Sequence, residues 1–479
     1  MLGKLIGRAG LVGTVGLLVL AGSFDFASAQ EVTKRVTITE CVQEAMNIHP
    51  SVKQAKQAVE ASEASLKSVR GSFGPSLTVE GNVIRWDEEQ KMSFGGGGGA
   101  DLSLLPPPQT VYEQLLAGML SGFSGGTIIQ EQVTWQVSAT LMQPITPLWT
   151  VYKAYQLGKL GINVAQVKEE EARIAAALNV VDAYYAHLQA RAMLEVIQAS
   201  IKRVQAALEK VEKLKEAQLV GKGDVLKVKV ALASALQGEV QAKNAVELTR
   251  AVLAAHVGWS MDVYLEPADI SKVLPSRPSA TMRGAMETAI EKRPELAQLR
   301  LSLQQVGLAE EIVWAEYIPT VVALGTYTHA EGSPMRKEDS YFIGLNLSWK
   351  VFEWGKTWYK IDESRAQARQ LQSAMEMAAN YISLEVKRAW LDFSSAFENL
   401  KATEVRIEQA EENFRIQSKL YEEQYKTSTD LLEAEADLTE ATAQRALAFY
   451  KVWQARAAMG KAMGDEVETW LPASDGSER

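Results

Sequence analysis

The stretch LEVIQASIKRVQAALEKVEKL, from Leu194 to Leu214, decides the fold. Its apolar residues Leu194, Ile197, Ile201, Val204, Leu208, Val211 and Leu214 fall three or four positions apart. That is the narrow seam of a coiled coil rather than the broad apolar stripe of a globular helix. Upstream, Ile174, Leu178, Val181, Tyr185 and Leu188 keep the same rhythm, and no proline lies between Pro147 and Pro267. The spacing predicts one helix over about 150–219, on the order of 100 Å long at ~1.5 Å per residue. Gly221 and Gly223 stop it, and Asp224 is placed to cap a second helix over about 224–258. The two helices form an antiparallel hairpin with a tight turn.

The design is used twice. Val180, Ala183, Asp224, Leu226 and Gly258 recur 206 residues later as Val386, Ala389, Asp430, Leu432 and Gly464. Further upstream, His49-Pro50 and Gly74-Pro75 recur as Arg293-Pro294 and Ile318-Pro319. The second half therefore predicts a long helix over about 356–425, a break at Lys426-Thr427-Ser428-Thr429, and a helix over about 430–463.

Between the helices lie four segments that alternate with period two, over about 76–86, 131–143, 319–330 and 340–352. Leu77, Val79, Gly81 and Val83 alternate with Thr78, Glu80 and Asn82, while Tyr341, Ile343, Leu345, Leu347, Trp349 and Val351 alternate with Gly344, Asn346, Ser348 and Lys350. These are strands with one apolar and one more polar face, and their length suits a membrane β-strand of ~9–11 residues. Four such strands cannot close a membrane sheet alone, because unpaired backbone groups in hydrocarbon are too costly and small barrels need about eight strands. Several copies must share one barrel. The spacing fixes neither their number nor their handedness.

The expected organisation is a leader at 1–29, a first repeat at 30–265, an inter-repeat linker at 266–280, a second repeat at 281–464 and a polar, frayed tail at 465–479. The leader rests on Lys4 and Arg8, the apolar run Leu11–Leu20 and the small residues Ala27-Ser28-Ala29. The first hairpin carries an insertion within 86–130 that holds Gly95–Gly99, Pro106–Pro108 and the apolar patch Leu115–Leu120. The patch is compatible with a short surface helix, a plug or no order. Trp86, Trp135, Trp149, Tyr341, Trp349 and Trp354 stand near strand ends, where an interfacial girdle or ordinary packing would both place them.

Composition narrows the function. The net charge is −9, which disfavours nucleic acid as a partner. The single cysteine, Cys41, rules out an internal disulfide framework. The four histidines, His49, His187, His256 and His329, are far apart in sequence, and no zinc-protease helix and no complete phosphate loop is present. The expectation is a protein that is not an enzyme and needs no cofactor or metal.

The pattern resembles the TolC-like outer membrane factors of Gram-negative bacteria. The leader, the duplicated entries Ala45–Pro50 and Ala289–Pro294, the proline-led strands, and the tip segments Val220–Leu226 and Tyr425–Leu432 carry the likeness, which spans about Val36 to Gly464. The resemblance implies a mainly α chain with a small membrane β part. Three copies would form a twelve-stranded β-barrel in the outer membrane and a coiled-coil α-helical barrel across the periplasm. It implies a passive exit duct for efflux or type I secretion, with a periplasmic adaptor and an inner-membrane transporter as partners. It further implies a ring of acidic residues at the periplasmic mouth, here Asp430 and Glu433, and tip-turn or docking roles for Gly221, Gly223, Asp224, Lys426 and Tyr421. Asp430 as a plain helix cap and Glu433 as a plain first-turn acid explain the same residues. The second tip turn has Gln424 or Tyr425 where the family has glycine, so its geometry is open. A non-conducting periplasmic coiled-coil scaffold is the alternative function. The cargo is not written in the sequence.

Overall fold

The computed structural model describes residues 34–92, 107, 110–124, 127–261, 263–269, 273–277, 281–334 and 336–472. The expected leader, the glycine run at 95–99 and the last residues of the tail lie outside them. The chain is mainly α-helical with a small β part. The first half runs β1 (Lys34–Val36), α1 (Ile38–Ile48), α2 (Pro50–Gly71), β2 (Ser76–Arg85), β3 (Gln90–Met92), α3 (Val111–Ser124), β4 (Thr127–Gln130), β5 (Val133–Pro144), α4 (Pro147–Glu216) and α5 (Lys222–Val257). The second half runs β6 (Leu265–Pro267), α6 (Met282–Lys292), α7 (Pro294–Trp314), β7 (Thr320–Glu331), β8 (Asp339–Ser348), α8 (Lys356–Glu422) and α9 (Ser428–Met463).

The long helix α4 has 70 residues and so extends for about 105 Å. Its partners are shorter and stack end to end along it. Helix α2 packs on the half nearer the sheet, and α5 packs on the other half. The joint between them is tight. Gly258 ends α5 at φ +92°, and a Cβ there would lie 3.5 Å from the His49 Cα at the α1–α2 junction. The repeat does the same with Gly464, at φ +73° and 3.2 Å from the Lys292 Cβ. Only glycine enters that left-handed conformation at little cost. Helices α8, α7 and α9 repeat the arrangement, and α4 joins the halves by packing on both α7 and α9.

The main core lies where the stacked helices meet. Val180, Val181, Tyr184 and Tyr185 of α4 pack there with Leu253 and Val257 of α5 and with Val452, Trp453 and Met459 of α9. Strand β1 pairs in parallel with β6, so the first described residues and the inter-repeat connection are fastened to each other beside this core. The Tyr184 hydroxyl donates to the Ala268 carbonyl at 2.8 Å, and the Trp453 indole donates to the Val273 carbonyl at 3.1 Å. A second, smaller core sits at the far end of the long helices and contains Val204, Val211, Val225, Val228, Tyr421 and Leu431.

One expectation is corrected. The tail beyond Gly464 is not frayed throughout. Residues Val467–Trp470 form a 3-10 turn, and Trp470 is only 1% exposed. It packs on α9 where Gly460 leaves room, since a Cβ at 460 would come within 2.2 Å of the Trp470 ring. The polar composition of the tail hid its one anchoring aromatic. Of the readings left open for the insertion, its described residues bear out a helix. Strands β3 and β4 pair as a ribbon that prolongs the β2–β5 hairpin, and the apolar patch lies on helix α3.

Gly460→Ala should lower stability by about 1–3 kcal/mol through overpacking against Trp470. In a double-mutant cycle read by thermal unfolding, the same change on a Trp470→Ala background should cost almost nothing; equal costs on both backgrounds would contradict the contact. A second prediction concerns His187, which is 2% exposed on α4 with its Nδ1 3.1 Å from the Thr249 hydroxyl of α5. Burial, then the positive charge of Arg191, pushes its pKa down to about 4. Between pH ~6.5 and 4 the unfolded chain binds the proton and the folded chain does not. Stability should therefore be full above ~6.5 and fall by on the order of 3 kcal/mol as the pH drops to 4. His187→Gln should flatten that part of the pH profile, measured by unfolding of the detergent-solubilised protein.

Candidate functional site

The four-stranded sheet has the order β2-β5-β7-β8 and is antiparallel throughout. The alternation in the sequence becomes two continuous faces. One face carries the cross-strand rows Leu77–Leu141–Gly325–Ile343 and Val79–Ala139–Tyr327–Tyr341. The other carries Thr78–Thr140–Thr326–Phe342 and Glu80–Ser138–Thr328–Ser340. The Thr140 and Thr326 hydroxyls bond to each other at 3.2 Å on that polar face. The apolar face is bare: Tyr341, Ile343, Leu345 and Leu347 are 82%, 87%, 70% and 65% exposed. Among the described residues, β2 and β8 each have a strand on one side only.

Aromatic residues bound this apolar face at both ends. Near the hairpin loops, the Trp135 indole donates to Glu331 at 3.0 Å, and the Tyr327 hydroxyl donates to Asp339 at 2.6 Å. Near the helices, Trp149, Trp314, Tyr317, Trp349, Phe352 and Trp354 are exposed together, and the Trp349 indole donates to the Tyr317 carbonyl at 3.3 Å. Tyr341 and Trp349 are eight residues apart on one strand line, about 26 Å at ~3.3 Å per residue. An apolar band of about 25 Å between two aromatic girdles is the signature of a membrane β-sheet. Among the described residues no helix is long and apolar enough to cross a membrane.

At the opposite end of the long helices, two turns join α4 to α5 and α8 to α9. Gln218 and Gln424, 206 residues apart, hold the left-handed conformation at φ 63° and 64°. The next amides reach back, from Leu219 to the Leu214 carbonyl and from Tyr425 to the Leu420 carbonyl, both at 2.9 Å. The open question about the second turn is thus resolved: it has the same geometry as the first, and Gln424 does what Gln218 does. Gly221 is not the left-handed residue, since its φ is −79°. It is the N-cap of α5, and this corrects the expectation that Asp224 caps that helix. Gly223 lies in the first turn of α5, with open space where a Cβ would stand.

The second tip helix is capped differently. Thr427 and Asp430 form a capping box, in which the Thr427 amide donates to the Asp430 carboxylate at 2.9 Å and the Asp430 amide donates to the Thr427 hydroxyl at 3.3 Å. Lys426 pairs with the same carboxylate at 3.5 Å. The hydrogen bonds from Thr427, with Lys426 adding to them, hold the Asp430 carboxyl below the usual range, so it is a fixed anion. Glu433 is exposed one turn further on, with no ion-pair partner among the described residues. Asp224 instead accepts a hydrogen bond from the Ser428 hydroxyl at 2.6 Å, which ties the two tip helices α5 and α9 together. Lys227 adds a second tie, donating to the Thr429 hydroxyl at 3.1 Å. Tyr421 is buried in the small core, where desolvation and the nearby Asp224 charge raise its pKa.

Other polar links were not legible in the sequence. Arg203 of α4 grips Glu435 of α9 through two bonds of 2.6 and 3.1 Å and also reaches Thr439 at 3.0 Å. Glu435 interrupts the stripe Leu431, Ala434, Leu438 on the buried side of α9, and an acid on such a stripe needs a partner. Arg293, buried at the α6–α7 junction, bonds Glu295 at 2.5 Å and Glu385 at 3.0 Å. Among the described residues no cluster of three His, Cys, Asp or Glu could hold a metal ion.

A family model described as outer membrane efflux protein matches residues 41–258 and 285–465. The outer-membrane channel OprN is similar in fold, with a TM-score of 0.71 at 16% identity over 91% of both chains. VceC of Vibrio cholerae aligns at a TM-score of 0.68 and 15% identity, over 90% of this chain and 96% of that one. The CmeC outer membrane channel of Campylobacter jejuni gives 0.68 and 14%, over 91% and 87%. No curated protein sequence matches the chain.

The shared left-handed glutamines give a testable symmetry. Gln218→Gly and Gln424→Gly should each stabilise its turn by about 0.5–1 kcal/mol, because glycine removes the Cβ penalty at the C′ position. Hydrogen exchange at the Leu219 and Tyr425 amides should slow in the respective variants. Faster exchange at either amide would contradict the assigned turn.

Proposed function

Because the chain belongs to the outer membrane efflux protein family, we propose that three copies of it form one exit duct, the outer-membrane component of a tripartite efflux or type I secretion assembly. The observation that carries this reading is the open sheet: four strands, one bare apolar face, one polar face, and two edges that the chain itself does not pair. In hydrocarbon such edges must be satisfied by further strands. Three copies supply twelve, with the Thr-, Ser- and Glu80-bearing face turned to a water-filled lumen.

The helices favour the same closure. On α8, Met377, Leu384, Leu391 and Val405 are exposed at multiples of seven residues, and on α5, Leu226, Val230, Val240 and Leu248 are exposed along one side. These are coiled-coil seams without a partner among the described residues. Packing α8 of one copy on α5 of the next would bury both and continue the strand barrel as a helical barrel across the periplasm. A scaffold without a pore gains nothing from the sheet, whose apolar face would stand in water.

The tip turns are the end that an adaptor and an inner-membrane transporter would meet. Gly221 and Gly223 leave two positions of the first turn without a side chain, and Asp224, Tyr421 and Lys426 lie beside the ties that hold the tip helices together. The transport energy would come from the inner-membrane partner. Three copies would bring Asp430 and Glu433 around a narrow mouth, a ring that attracts cations and repels anions. The two acids differ in role: Asp430 is engaged in its capping box and with Lys426, while Glu433 faces solvent.

Purified protein should conduct weakly in a planar bilayer, and Asp430→Ala with Glu433→Ala should conduct more. No conductance from either would overturn the duct. Glu433→Gln should lower the cation preference, read as the reversal potential in a salt gradient, more than Asp430→Asn does. An unchanged potential in both would remove the acidic ring from the account.

A further inference from the structure

The inserted helix α3 has no counterpart in the second repeat, where only residues 332–338 separate β7 from β8. Its start is locally encoded: Thr110 and Glu113 form a capping box, with bonds of 3.1 and 3.2 Å. Val111, Tyr112, Leu115, Leu116 and Met119 fall on one half of the helix, and Glu113, Gln114 and Gly118 fall on the other. The apolar half is uncovered by its own chain, with Val111 83%, Tyr112 81%, Leu115 65%, Leu116 55% and Met119 60% exposed.

Two occupants could cover that face: lipid of the outer leaflet or a second copy of the helix. The charge decides between them. Between Trp86 and Gln130 the chain carries Asp87, Glu88, Glu89, Asp101 and Glu113 against Lys91 alone. A helix that lies on a membrane surface carries Lys and Arg on its polar face, and α3 carries none. An acidic segment is also repelled by an anionic leaflet. The β3–β4 ribbon prolongs the β2–β5 hairpin at the end of the sheet away from the long helices, so α3 is tethered at the outer mouth of the barrel. Each copy brings one such helix to that mouth, and at 14 residues it is about 21 Å long, enough to reach over a bore.

We infer that the α3 helices of the copies in one duct pack on each other through these apolar faces and cap its extracellular mouth. The inference rests on the proposed duct. It gives the channel a constriction at the end opposite the acidic tip, made of residues that only the first repeat contains.

The test is disulfide cross-linking of Leu116→Cys, Met119→Cys and Gln114→Cys in the full-length protein, with copper–phenanthroline as oxidant. The native Cys41 is fully buried and stays out of the reaction. Met119→Cys and Leu116→Cys should link copies at least severalfold more than Gln114→Cys on the polar half. Removing 111–124 from the Asp430→Ala, Glu433→Ala protein should raise its conductance further. Cross-linking no greater than that of Gln114→Cys in protein that still conducts would overturn the cap and leave the duct standing. So would quenching of a bimane label on Met119→Cys by doxyl-labelled lipid, which would assign the face to the leaflet. Protein that neither cross-links nor conducts would overturn the duct and the cap together.

Discussion

A backbone N–H or C=O that meets hydrocarbon must find a partner, and this chain alone cannot provide one for the outer edges of β2 and β8. Most of the architecture is arranged around that deficit. The four strands carry their apolar side chains on one face and their hydroxyls on the other, which is useful only in a closed cylinder with lipid outside and water inside. The long helices emerge from one end of the sheet and keep their own unpartnered seams on α5 and α8. The same neighbour that would pair the strand edges would therefore cover the helical seams. The aromatic core at Tyr184, Tyr185, Tyr450 and Trp453 fixes the two repeats to each other so that both strand pairs leave it side by side.

The duplication shows which features the design requires and which are free. Both tip turns use a left-handed glutamine at the same place, and both short tip helices end on a left-handed glycine pressed against the stacked helix. The caps at the tip differ: glycine opens α5, while a threonine–aspartate box opens α9. The junction of the stacked helices differs too. His49 bonds Ser51 at 2.7 Å in the first half, where the second half buries Arg293 between two glutamates. The tips and the junctions are thus equal in backbone and unequal in the polar groups they carry.

Periodicity made the fold legible. A seam of three and four over Leu194–Leu214 reads as a long packed helix, and the alternation of Ile343, Leu345 and Leu347 with Gly344 and Asn346 reads as a half-covered strand. The repeat then fixed the order of the elements. What stayed hidden depends on pairing across distance. The Arg203–Glu435 grip joins residues more than two hundred positions apart, and only the acid on the apolar side of α9 hints at it. Trp470 was lost in a polar tail because a single aromatic has no period. Asp224 looked like a cap because a carboxylate three residues past a glycine fits that role, yet its oxygen is taken by Ser428. At the candidate mouth, sequence placed Asp430 and Glu433 on one helix face but could not show that the first is held by its own turn and the second is not.

The most direct test of the account is the number of chains in one particle. Native mass spectrometry of the protein extracted from the outer membrane in detergent should report three copies and nothing smaller in quantity. A monomer that stays monodisperse in buffer after the detergent is removed would contradict the shared barrel and everything derived from it.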